Sequence, residues 1–180
     1  MFKKNTLFFF FFWLMFANSR AVSPYTANDI CKPLPELNIT DPGDELSKAD
    51  SIICLAEEFL GKPYRYACAD PLVGFDCSGL VSYVFAQMGV RLPRSSRAYE
   101  TLGREVCLDS CRRGDILVFT GTNASIRHAG HVAIVLSSLG QPLTFIQSSS
   151  SKKQNGVIIS AYADSHYYQK RFIKVIRVLE

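Results

Sequence analysis

Two residues far apart in the chain, Cys77 and His131, have the types needed for a nucleophile and its base. Cys77 stands in the stretch Gly74-Phe75-Asp76-Cys77-Ser78-Gly79-Leu80, followed by Val81 to Gly89. Leu80, Val81, Val84, Phe85 and Met88 recur at helical spacing, and Gly89 falls where a helix stops. Cys77 is therefore expected at or just before the first turn of a helix. A thiol there meets unpaired backbone N–H groups and the positive end of the helix dipole, both of which favour the nucleophilic thiolate. Gly74 and Gly79 permit a tight entry and the close approach of another chain segment. The same pattern also suits a buried cysteine in a core helix, so the two readings separate on whether a base reaches the sulfur.

The sequence offers three candidates for that base, His128, His131 and His166. His131 opens the apolar run His131–Ser137, directly after a polar loop from Thr120 to Gly130. A strand end holds a side chain firmly while leaving it reachable. Gln147 lies on the next strand of the expected hairpin, where its amide could meet the His131 ring and orient it without adding charge. His128 reads as a solvated loop residue. His166 sits among Tyr162, Tyr167 and Tyr168 and is expected to pack. His128 and His131 have no carboxylate or thiol companion at ligand spacing, and neither a metal nor a cofactor is expected. A thiol–imidazole pair working as thiolate and imidazolium would give a bell-shaped pH profile.

The elements that must position this pair follow in order. Ser47 can cap a helix reaching Leu60, with Ile52, Ile53, Leu55, Ala56 and Phe59 as its apolar side; Gly61 and Pro63 end it. Tyr64 to Gly74 is irregular and leads into the Cys77 helix. Ser95 or Ser96 can cap a short helix reaching Leu102, and Arg112-Arg113-Gly114-Asp115 forms a turn. Strands are expected at 116–119, 131–137, 143–148, 157–161 and 172–178. Helices first and an antiparallel meander second make the fold class α+β, with N-terminal helices packed on the sheet.

The chain has 180 residues, 48% of them hydrophobic and 20% charged, which suits one globular domain. Lys3 and Lys4, the apolar run Leu7–Phe16 and the small residues Ala17, Ser19 and Ala21 read as a signal peptide over 1–21. The apolar run is short for a membrane span, so no stable span is expected after cleavage. Residues 22–46, with Pro24, Pro33, Pro35 and Pro42, read as an extended lead-in, and 47–180 as the domain. The formal charge is +4, and removing Lys3, Lys4 and Arg20 leaves 17 basic against 16 acidic residues. No polybasic stripe remains, so nucleic acid is not an expected partner. With export, disulfides become possible among Cys31, Cys54, Cys68, Cys107 and Cys111. Four cysteines can pair in three ways, and spacing does not choose. Cys107 and Cys111 could pair if their segment turns, with a zinc site as the rival reading.

Several segments together resemble the NlpC-type, papain-like cysteine peptidases of the cell wall. These are Phe75-Asp76-Cys77-Ser78-Gly79-Leu80-Val81, Leu92-Pro93-Arg94, Gly114-Asp115-Ile116-Leu117-Val118-Phe119 and His131-Val132-Ala133-Ile134-Val135. The resemblance runs from about Ala49 to Val178. It implies a papain-like α+β domain in which Cys77 attacks a peptide carbonyl and His131 acts as base and then acid. The family's third residue, often His, falls on Gln147 in Phe145-Ile146-Gln147-Ser148-Ser149. Pro63-Tyr64-Arg65-Tyr66 resembles the family's Pro-Tyr-x-x-Gly segment, with Tyr66 as a substrate or oxyanion contact; Ala67 and Cys68 replace the usual glycines. Asp76 and Ser78 would line the site for the substrate's amino end, and Asp76 can also be a helix N-cap.

The implied substrates are peptidoglycan or its muropeptides, cut in the stem peptide between D-glutamate's γ-carboxyl and a diamino acid. The implied location is outside the cytoplasm, periplasmic or extracellular. An amidase or acyltransferase on the same scaffold, or a non-catalytic binding module with Cys77 in a disulfide, are the competing readings.

Overall fold

The structure, a computed structural model, describes residues 47–180. The expected signal peptide, the lead-in and Cys31 lie outside the described residues. Ser47 accepts the Asp50 N–H at 3.2 Å and starts helix α1, Lys48–Glu57. The regular helix stops short of the expected Leu60 because tertiary bonds take over. Gly61 (φ +81°) donates to the Val157 carbonyl at 2.9 Å, and Val157 returns a bond to Lys62 at 2.8 Å. Phe59 remains buried, its ring 4.9 Å from Phe75 and 5.5 Å from Tyr83.

The stretch read as irregular contains a small antiparallel hairpin, β1 (Ala69–Asp70) and β2 (Gly74–Phe75). It delivers the chain to helix α2, Cys77–Gln87, whose N-cap is Asp76. Leu80, Val81, Val84 and Phe85 are fully buried. Gly89 (φ +77°) follows the helix, where the sequence placed its end. The two glycines flanking Cys77 do what their type suggested. A Cβ on Gly79 would collide with the Cys68 carbonyl oxygen, and one on Gly74 (φ +137°) with that of Pro63.

After α2, Ser96–Glu100 forms a short 3₁₀ turn rather than a helix to Leu102, and Ser95 at its cap position makes no side-chain capping bond. Strand β3, Arg104–Val106, escaped the sequence reading because its exposed edge carries Arg104 and Glu105 instead of an alternating apolar pattern. Then come β4 (Ile116–Thr120), β5 (Ala129–Val135), β6 (Thr144–Ser150), β7 (Asn155–Ala161), helix α3 (His166–Arg171) and β8 (Phe172–Arg177). Helix α3 also went unread: six residues, His-Tyr-Tyr-Gln-Lys-Arg, give too little helical period to detect. His166, expected to pack, is exposed at its start.

The six-stranded sheet runs β3-β8-β4-β5-β6-β7, with every pairing antiparallel. The meander β4 to β7 is as expected, but the last strand returns to lie beside β4. Strand alternation divides the core in two. Ile116, Val118, Val132 and Ile134 face α1 and α2. Leu117, Phe119, Ala133, Val135, Phe145 and Val175 face a second cluster with Tyr168 and Phe172. The molecule is thus α+β, with helices packed on an antiparallel sheet.

The Gly114-Asp115 turn anchors the sheet. Asp115, 2% exposed, accepts the Arg112 N–H at 2.8 Å and Arg177 Nε and Nη2 at 2.8 and 2.7 Å. Cys107 is exposed and Cys111 buried, both as thiols, so the bridge considered for them is not formed. Among the described residues no group of three or more His, Cys, Asp and Glu side chains is placed to hold a metal ion.

Candidate active site

Helix α2 brings Cys77 to β5. The backbone N–H of Val132 is directed at the Cys77 sulfur, as are those of Ser78 and Cys77 itself. Strand N–H groups lie in the plane of the sheet, so the sulfur approaches β5 along its edge. Space for it exists because β5 and β6 pair only at Ile134↔Ile146 and Val135↔Phe145. Toward Ala129 the two strands are no longer laddered. Val132 directly follows His131, and both Cys77 and His131 line one cleft of about 830 Å³.

The His131 ring is fixed from the other side. Gln147 Oε1 lies 2.5 Å from His131 Nε2. Gln147 Nε2 donates to Ser160 Oγ at 2.7 Å and to Tyr168 Oη at 2.5 Å. In this arrangement the amide nitrogen faces the two hydroxyls and its oxygen faces His131. An acceptor at Nε2 requires the proton there and leaves the Nδ1 lone pair for the sulfur side. Phe119 flanks the ring with centroids 5.9 Å apart. Gln147 meets the His131 ring as the sequence suggested, although the β5–β6 ladder stops at Ile134↔Ile146, short of both residues, while the supports Ser160 and Tyr168 went unread. A Ser within the strand expected at 157–161 was the available signal for the first; the second sits in the unread helix.

Desolvation of the site opposes the charge state expected from sequence. Burial pushes the Cys77 thiol pKa up, outweighing the backbone N–H groups that lower it; the Asp76 carboxylate adds to the rise. Burial pushes His131 down to about 4, assisted by the Arg171 charge and opposed by the Gln147 bond. Burial thus works against thiolate and against imidazolium, each taken singly.

A second cavity, about 370 Å³, also borders Cys77 and is lined by Tyr64, Tyr66, Asp76, Ser78 and Arg94 among others. Asp76 has the double use its position allowed. Its Oδ1 accepts the Gly79 N–H at 2.6 Å as N-cap, and its two oxygens accept Arg94 Nη1 and Nη2 at 2.8 and 2.7 Å. Arg94 Nη1 also reaches Ser78 Oγ at 3.2 Å. The Leu92-Pro93-Arg94 motif therefore holds the residues on both sides of Cys77. Tyr66 is 88% exposed and only borders this cavity. Tyr64, not singled out from sequence, lines both cavities beside Cys77. Ser148 Oγ donates to the Phe75 carbonyl at 2.7 Å, tying β6 to the residue just before Asp76.

Comparison with known proteins identifies the family. The model of the NlpC/P60 family matches residues 61–177. The chain is 35% identical to the γ-DL-glutamyl hydrolase of Bacillus subtilis over 124 residues, 68% of this chain and 27% of that protein. It is 48% identical to the peptidoglycan endopeptidase RipA of Mycobacterium tuberculosis over 71 residues, 39% of this chain and 14% of RipA. The match thus spans less than a third of either relative's length. Among solved structures, an NlpC/P60 family protein from Bacillus cereus superposes with a TM-score of 0.63 at 26% identity, covering 73% of this chain and 40% of that one. The family model spans both Cys77 on α2 and His131 on β5, and the chain belongs to the NlpC/P60 family.

Proposed function

We propose that this protein is an exported cysteine endopeptidase that hydrolyses peptide bonds in peptidoglycan stem peptides, at the bond between γ-D-glutamate and a diamino acid. The observation that carries the reading is the shared cleft of Cys77 and His131, with the Val132 N–H on the sulfur and Gln147 on His131 Nε2. In this reading His131 Nδ1 takes the thiol proton as Cys77 Sγ attacks the scissile carbonyl carbon. The backbone N–H of Cys77 and the Tyr64 hydroxyl face the resulting oxyanion. The tetrahedral adduct collapses as the imidazolium gives its proton to the leaving amine, leaving an acyl thioester. Water, deprotonated by His131, then releases the acid and restores the thiol. Gln147 orients the ring throughout. Asp76 and Ser78, held by Arg94, receive the amino end of the acyl half, and Tyr66 forms the outer rim. Residues 1–21 act as the signal peptide, and the site of action is the cell envelope. Among the described residues no helix is long and apolar enough to cross a membrane.

The test is to incubate the purified domain with muropeptides under reducing conditions and read the products by mass spectrometry. Cleavage between D-glutamate and the diamino acid, lost in Cys77→Ala, is expected. Stem peptides that stay intact with the wild-type protein overturn the reading.

A further inference from the structure

The large cleft carries a feature that the peptidase chemistry does not use. Arg171, at the end of α3, is 6% exposed yet lines the cleft. Its Nε donates to the Gly121 carbonyl at 2.8 Å and its Nη2 to the Thr120 carbonyl at 2.7 Å, and its guanidinium lies 4.4 Å from the Tyr167 ring centroid. Among the described residues it has no carboxylate partner. Lys153 lines the same cleft, and among the described residues no Asp or Glu does. The remaining polar wall is hydroxyl and amide: Thr122, Ser149, Ser150, Ser151, Gln154 and Ser165. A buried cation held only by carbonyl dipoles and a ring face stays electrically open to an anion that enters the cleft.

We propose that the cleft binds a free carboxylate on the leaving half of the substrate, with Arg171 as its anchor and Lys153 as a second cation at the rim. The proposal rests on the endopeptidase reading above. The side is fixed by chemistry. The general acid must reach the leaving nitrogen, and His131 lines this cleft but not the smaller cavity. Arg171 keeps Nη1 for the ligand once its other two nitrogens hold the backbone. A guanidinium edge suits a carboxylate better than an ammonium does. The residue recognised is thus a diamino acid bearing its own acid group, such as diaminopimelate, rather than lysine.

The test uses stem peptides identical except at the leaving residue: diaminopimelate with its side-chain carboxylate free, the same residue amidated there, and lysine. All carry an amidated C-terminus, so the side-chain carboxylate is the only one on the leaving half. The wild-type protein is expected to favour the free acid by roughly tenfold or more in kcat/KM, with the difference in KM. Lys153→Glu, on the exposed rim, is expected to reduce that ratio several-fold, and Arg171→Gln to bring it close to one. If Arg171→Gln fails to fold, the wild-type ratio and Lys153→Glu decide. Equal cleavage of all three peptides by the wild type, or a ratio unmoved by Lys153→Glu and by any folded Arg171 variant, overturns the proposal while the peptidase reading stands. Cleavage of none of them overturns the peptidase reading itself.

Discussion

The two cavities flanking Cys77 each contain an arginine, and the arginines are treated in opposite ways. Arg94 is 44% exposed by side chain and meets Asp76 through two bonds, so its pKa is raised chiefly by that carboxylate. Arg171 is almost fully covered, meets only backbone carbonyls and an aromatic face, and its pKa is lowered by burial. The better-solvated charge has the partner, and the desolvated one lacks it. A built ion pair is a structural device: it closes the field on the Asp76 side and holds the helix N-cap. An open cation next to His131 instead acts on whatever enters, and it already disfavours imidazolium. One side of Cys77 is therefore electrically satisfied, and the other is chemically demanding.

The largest effects should fall on the demanding side. His131→Ala is expected to lower kcat/KM by on the order of 10²–10⁴, measured on a muropeptide by product quantitation; a loss below tenfold would break the contrast. The pH profile sharpens it. Catalysis by a neutral imidazole turns on above its pKa, so the acid limb of kcat/KM should lie near pH 4 rather than at 6.5. Removing the Arg171 charge favours the protonated ring, so Arg171→Gln should move that limb upward. The Gln147 bond acts in the opposite sense, so Gln147→Leu should move it downward, with a rate loss of roughly 10–100-fold. For Cys77 the raised pKa means that iodoacetamide labelling at pH 7 is slow and accelerates above pH 9. Fast labelling that is flat across neutral pH would show a resting ion pair instead.

The core of this arrangement was legible in the sequence for local reasons. Cys77, Asp76 and Gly79 are adjacent in the chain, and a helix start with a cap and a close-approach glycine is a short-range pattern. His131 stood out because an apolar strand rarely opens on an imidazole after a polar loop. The meeting of Gln147 with His131 followed from the hairpin expected of β5 and β6. What went unread is long-range or short-lived in sequence. Arg94 pairs across 18 positions, and Arg171 reaches Thr120 and Gly121 across about 50. Helix α3 and strand β3 are too brief for a period to register. Tyr64 and Tyr66 could not be ranked by type, because only the fold turns one toward the sulfur and the other into solvent. The helix N–H groups that favour thiolate are a local signal, whereas the burial that opposes them comes from the packed sheet.

The satisfied side should respond mainly in stability. Arg94→Met leaves the Asp76 carboxylate with its N-cap bond and a long bond of 3.4 Å from Ser78 Oγ, in surroundings where its side chain is 10% exposed. A cost of about 1–3 kcal/mol is expected for a mostly buried charge losing its partner, seen as a lower urea midpoint with an unchanged slope. The acid limb should stay in place, because Arg94 does not bear on His131. A limb that moves as far as in Arg171→Gln would erase the distinction between the two arginines.

The smallest single effect should come from Tyr168→Phe, and its size tests why Gln147 presents its oxygen to the ring. The substitution removes one of two acceptors for Gln147 Nε2 while keeping the aromatic contacts with Phe119 and Phe145, 5.5 and 5.0 Å between centroids. Ser160 still holds the nitrogen at 2.7 Å, so a loss of only about two- to fivefold is expected. Ser160→Ala alone should behave the same way. Together they leave nothing to commit the nitrogen, and the amide can flip to set N–H against N–H at His131 Nε2. The double variant should then approach the loss of Gln147→Leu, far beyond the product of the singles. Simple additivity in that cycle would mean the amide is oriented by the ring itself, and that Ser160 and Tyr168 only pack beside it.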